Sequence, residues 1–170
     1  MISTTHVKTM ARYNQWQNQS LYREAGVLDN IERHMPRGAF FSSIHGTLSH
    51  LIWGDMIWMH RFAGTPKPSG GIKDSPSLFT DWDDLTAERI AFDKVIIEWS
   101  GQVDPAWLSG DIGWYSGAMG RQMSKPAWLL VTHMFNHQTH HRGQVHAMLT
   151  AAGAKPDDTD MIFMELDGAA

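Results

Sequence analysis

At 170 residues and 42% apolar composition, the chain can bury one substantial core and is too short for two, so residues 1–170 are expected to form a single domain. Its formal charge of −4 comes from charges scattered along the sequence, with no basic block or stripe, which argues against a nucleic-acid partner. The absence of Cys excludes disulfides, thiolate zinc sites and a cysteine nucleophile, so any metal must rest on His, Asp or Glu.

A first helix is expected from Thr5 to Leu28, a stretch without Pro that Gly26 and Asp29 bring to a stop. Pro36 and Gly38 then break the chain, and Ser42 or Ser43 can cap a second helix from Ile44 to Phe62, ended by Gly64 and Pro66. Residues 65–77 hold three Pro and two Gly, which reads as a long surface loop joining distant helix ends. A third helix fits residues 82–100, with Asp81 or Asp83 near its start and Gly101 after its end. Residues 103–123 mix Gly110, Gly113, Gly117 and Gly120 with Trp107, Ile112, Trp114 and Tyr115, as an irregular loop or short hairpin would. Ser124 is the expected cap of a fourth helix, with Pro126 in its first turn and Gly153 stopping it after Ala152. One short extra helix is expected between Asp157 and Leu166. Four long helices with one long crossover loop describe a four-helix bundle, an architecture that builds metal sites from side chains on facing helices. The first residues lack a basic segment followed by an apolar one, and no apolar run approaches the length of a membrane span. The expectation is a soluble, cytoplasmic protein with no membrane partner.

The densest chemistry lies in residues 129–144, LLVTHMFNHQTHHRGQ, where His133, His137, His140 and His141 fall within nine residues of the fourth helix. At about 100° of arc per residue they share one face with Leu130, Met148 and Ala151, and that face should point inward. Buried imidazoles are costly unless hydrogen-bonded or bound to something, and a metal ion satisfies several together. Helical residues four apart bring their Cβ atoms to roughly 5–6 Å. His133 with His137, and His137 with His141, both have that spacing, and the spacing alone does not choose between them. A third ligand should come from another helix. His50, set among Leu48, Leu51 and Trp53, is the best candidate, with Trp53 as a pocket wall. His6, His34, His45, His60 and His146 are assigned to the surface or to loops. Gly143, inside the fourth helix, is either a point of close helix approach or merely tolerated.

The segments YNQWQNQSLY at 13–22, LSHLIWGDMIWMHRFAG at 48–64, HMFNHQTHHRGQVHAML at 133–149 and TDMIFMEL at 159–166 together resemble the DinB/YfiT-like family. That resemblance implies an all-α, up-down-down-up four-helix bundle. It also implies a divalent metal held by one His of helix two and an HxxxH pair of helix four, here His50, His137 and His141, with His133 and His140 as neighbours. Homodimers are common in the family. The reactions it implies use a low-molecular-weight thiol, as in mycothiol- or bacillithiol-dependent transferases and an isomerase. A metal-dependent thiol S-transferase acting on a small-molecule substrate is therefore the first expectation. A metal-dependent hydrolase, or a stress-related metal or small-ligand binding protein without catalysis, is the alternative. Imidazole ligands suit Zn, Ni, Fe and Cu alike, and Zn, Ni or Fe is the expected ion. Asp55, Glu98, Tyr115 and Arg142 are available as acid–base groups.

Overall fold

The computed structural model describes residues 1–117 and 119–165. Its long helices are α1 (Thr4–Val27), α3 (Ile44–Ala63), α4 (Trp82–Gln102) and α6 (Ala127–Ala151). Short helices α2 (Asn30–His34) and α5 (Pro105–Ser109) fill two of the connections. A hairpin of β1 (Asp111–Ser116) and β2 (Arg121–Pro126) precedes α6.

The starts of α1, α3 and α4 follow from side-chain capping, each cap worth about 1 kcal/mol. Ser43 accepts from the Gly46 amide at the start of α3, and Asp81 accepts from Asp83 and Asp84 at the start of α4. Gly64, at φ 69°, closes α3 in the left-handed conformation that glycine adopts without strain. Between α3 and α4 the chain folds back along α3. A 3-10 turn at Ser75–Ser77 places the Ser75 hydroxyl against His50, and Phe79 O accepts from His45. The link thus returns to the end where α3 began, so α3 and α4 run parallel. Contacts of Gly54 with His137 and of His50 with His141 set α6 antiparallel to α3, while Tyr22–Trp82 and Asn18–Asp93 set α1 antiparallel to α4. The topology is up-down-down-up, the all-α bundle expected.

Differences from expectation lie mainly in the connections. Ser124 does not cap α6: it pairs with Gly113 in the hairpin, and α6 starts two residues later than that cap would place it, after Pro126 and without a side-chain cap. Gly101 lies inside α4, which runs on to Gln102. The C-terminal segment forms a single 3-10 turn, Met161–Phe163, in place of a helix, and Leu166 lies outside the described residues.

The core, from Val7 and Leu21 through Leu48, Ile52, Leu85 and Ile96 to Phe135 and Leu149, is apolar along most of its length. One layer is polar. Arg89 binds Asp55 Oδ2 at 2.6 Å and Asp93 Oδ1 at 2.8 Å, with both carboxylates buried. Asn18 donates to Asp93, Gln138 donates to Asp55 and to Leu51 O, and Arg142 donates to Asn14. All four long helices contribute to this layer.

Candidate metal centre

The α6 histidines separate into distinct environments. His137 is half-buried and His141 buried, while His133 and His140 are exposed, as is Ala151. The face they share lies along the edge of the buried stripe and does not point wholly inward. His133 packs its ring 5.1 Å from Trp58, whose ring also carries the Arg61 guanidinium at 4.4 Å. Its ring centre is 6.0 Å from that of His137, whereas His137 and His141 are 4.6 Å apart.

His50, buried on α3, completes the group. One ring nitrogen from each of His50, His137 and His141 lies within 4.8 Å of the others. His50 Nε2 and His137 Nε2 are 3.1 Å apart. Two nitrogens each about 2.0–2.1 Å from one tetrahedral ion stand roughly 3.4 Å apart, so the observed separation is close to that of two ligands on one ion.

Hydrogen bonding fixes which nitrogens are free. The Ser75 hydroxyl donates to Ile72 O at 2.7 Å, so it accepts from His50 Nδ1–H at 2.8 Å. His50 Nε2 is then the lone-pair nitrogen. Gln144 Oε1 can only accept, so His141 Nδ1–H donates to it at 2.8 Å and His141 Nε2 is likewise free. Gln144 uses its amide N–H to reach His140 Nε2. Two outer residues therefore aim two imidazoles at one point, as partners of metal-ligating His do. Burial, reinforced by the neighbouring imidazoles, pushes the His50 pKa down to about 3 and that of His137 to about 4, and lowers His141 too. The rings are neutral near physiological pH, the state in which they bind a metal. This donor set fits a divalent transition metal, and the three-His group could hold one.

Two glycines of α3, four residues either side of His50, make the approach possible. A Cβ at Gly54 would stand 3.1 Å from His137 Cε1, and one at Gly46 would stand 2.8 Å from Phe41 O. Gly46 thereby admits the turn that lays Phe41 on His50, with ring centres 3.7 Å apart. Gly143, considered for such a role from sequence, has nothing within 4 Å of its Cβ position among the described residues.

The cluster opens into a cleft of about 380 Å³ lined by Phe40, Phe41, His50, Ile72, His137, His140, His141 and Gln144. Trp53 stacks near His50 at 5.9 Å but is buried behind it and does not line the cleft. None of the acid–base candidates lines it either. Asp55 and Arg142 belong to the polar layer, and Glu98 and Tyr115 are exposed elsewhere. His45, assigned to the surface from sequence, is buried in α3, bonded to Phe79 O and stacked on His34 at 4.2 Å. His6 and His60 are exposed, and His146 is partly so.

The sequence pattern of the DinB family matches residues 1–167. The chain belongs to the DinB family. Protein DinB of Bacillus subtilis (strain 168) is 26% identical over 156 residues, covering 87% of each chain. The crystal structure of a DinB-like protein from Bacillus cereus ATCC 10987 superposes with a TM-score of 0.58 at 19% identity, over 84% of this chain and 89% of that one. The DinB-like bundle is thus recovered by fold as well as by sequence pattern. No helix among the described residues is long and apolar enough to cross a membrane.

Proposed function

We propose that this DinB-family chain is a metal-dependent enzyme in which His50, His137 and His141 hold one divalent transition metal, Zn, Ni or Fe, and a low-molecular-weight thiol is transferred to a small organic substrate. The observation that carries the reading is the convergence of the three rings, with the His50 and His141 Nε2 lone pairs freed by Ser75 and Gln144, at the floor of an open cleft. Three protein ligands leave coordination positions open, as catalytic sites do and structural ones do not. When bound, the ion supplies positive charge that favours the thiolate form of a small thiol, the nucleophile that a chain without Cys cannot provide itself. In the transfer the sulfur forms a bond to an electrophilic carbon, the leaving group departs with its electron pair, and the thiol proton passes to solvent. The chain's own residues hold the rings and shield the site: Phe41 covers His50, and Ser75 and Gln144 orient the imidazoles. The proposal includes a homodimeric assembly and no nucleic-acid or membrane partner.

A second reading, metal or small-ligand binding without turnover, is favoured by one observation: no carboxylate among the described residues lines the cleft to act as a base. One experiment separates the two. Protein purified without a His tag should carry about one divalent metal per chain, and the triple variant His50→Ala, His137→Ala, His141→Ala should carry none. The loaded wild type should then accelerate loss of an electrophile in the presence of glutathione, bacillithiol or mycothiol. Equal metal in wild type and triple variant refutes the ligand set. Metal binding without any thiol-dependent rate leaves the binding protein, and a thiol-independent rate on esters or amides points to hydrolysis.

A further inference from the structure

Phe40 and Ile72 are large apolar side chains that stand 79% and 48% exposed at the mouth of the cleft. They come from two separate loops and, with Phe41, make its non-histidine wall almost wholly apolar. No Lys, Arg, Asp or Glu among the described residues lines the cleft. A carboxylate packed against Phe40 and Ile72, away from the three imidazoles, would therefore exchange hydration for apolar surface, which is unfavourable. An uncharged ring would cover surface that otherwise faces water.

The wall is held, not loose. Arg37 N–H donates to Ser42 O, Ser42 N–H to Ala39 O and Ser43 N–H to Phe41 O, each at 2.8 Å, and the Arg37 guanidinium pairs with Glu32. Within this turn Ser42 sits at φ 70°, a conformation that costs a non-glycine residue energy and that persists where the surroundings impose it. The outcome is a pair of rings set edge to face, with centres 4.8 Å apart. Phe41 turns in over His50, and Phe40 is left bare beside it.

We propose that the wall of Phe40 and Ile72 takes an uncharged, ring-sized apolar group of the organic substrate, which packs there while the substrate's polar end faces the three imidazoles. The proposal deepens the metal-centred reading and rests on it for the identity of that polar end. The probes are benzyl mercaptan and 4-(mercaptomethyl)benzoate, of nearly equal shape and different charge. Binding to the full-length protein is followed by ligand-observed NMR after chelator treatment, and by the visible spectrum after cobalt(II) loading. The neutral thiol should bind at least about tenfold more tightly than the carboxylate. Phe40→Ala should weaken the neutral thiol by roughly three- to tenfold, the range expected for one aromatic contact, while cobalt content stays unchanged.

Equal affinities for the two thiols, or a Phe40→Ala variant that binds the neutral one as wild type does, would overturn the proposal. So would a wild-type dimer that Phe40→Ala dissociates with thiol binding untouched, because the patch would then belong to a second copy. If charge discrimination and its Phe40 dependence appear in the chelated protein while cobalt neither binds nor tightens the thiol, this proposal stands and the metal reading fails.

Discussion

The polar layer and the histidine cleft are built from neighbouring residues of the same helices and reach opposite electrostatic solutions. On α6, His137 and His141 face the cleft, while Gln138 and Arg142, each one residue further on, turn into the layer. On α3, Gly54 lies under His137 and Asp55 under Arg89. In the layer the Arg89 charge is met by two carboxylates, and those carboxylates take further bonds from Asn18 and Gln138. In the cleft, three neutral rings turn nitrogens toward one another with no charged side chain among the described lining residues, and a 3.1 Å contact between two Nε2 atoms is satisfied by one shared proton or by a cation. The layer is electrically closed and fixes the register of four helices. The cleft is open and short of positive charge.

The strongest way to break this contrast is to remove a charge from the layer. Arg89→Met leaves Asp55 and Asp93 buried without their partner and should destabilise the fold by about 3–5 kcal/mol in urea denaturation, with chelator present throughout. His137→Ala under the same conditions should cost far less, because no partner charge is stranded. The next effect concerns metal. A free ion 100-fold above its Kd should stabilise wild type by about 2.7 kcal/mol. His141→Ala should abolish that gain and His133→Ala should keep it, since His133 packs on Trp58 away from the cluster. The reverse pattern in metal-dependent melting would show that His133 and His137 form the ligand pair.

Acidification sharpens the comparison from the cleft side. The His50 and His137 pKa values, about 3 and about 4 in the folded protein, lie below the usual value near 6.5. Between about pH 6.5 and 4 the unfolded chain binds protons at these sites that the folded chain does not, so stability falls as pH falls. The slope approaches about 1.4 kcal/mol per pH unit for each such proton as an upper bound, because His137 is partly solvated. Chelated wild type should therefore lose more stability over this window than the double variant His50→Gln, His137→Gln. Parallel pH profiles would mean that the rings already titrate normally in the fold.

Sequence pattern carried the long helices because their signals are local. Ser43, Asp81 and Gly64 act through their own backbone or the next turn, and the structure finds them at the expected ends. It failed where a residue's role depends on a distant partner. Ser124 has the chemistry of a helix cap, but strand pairing with Gly113 takes it first. Gly143 and Gly54 are both helix-interior glycines, and only packing decides that Gly54 meets His137 while Gly143 meets nothing among the described residues. A signal was present all the same: Gly46, His50 and Gly54 stand four residues apart on one helix face. The choice between overlapping HxxxH pairs likewise came from family resemblance, because periodicity gives a shared face and not the position of its edge.

The smallest expected effect tests how the cleft is aimed. Ser75 reaches His50 from the chain that folds back along α3, and its own proton is committed to Ile72 O. Ser75→Ala removes the acceptor that holds the proton on His50 Nδ1, so both tautomers become available and the ring loses a directional restraint. The change removes one hydroxyl from a packed turn and should cost roughly 1 kcal/mol of stability. Metal affinity should fall about tenfold, the lower end of what outer partners of metal-ligating histidines contribute. The His50 ring resonances in 15N NMR of the metal-free variant should move from the Nδ1–H pattern toward an averaged one. If metal affinity drops while the tautomer signature stays fixed, Ser75 acts through packing of the turn and not through the imidazole proton.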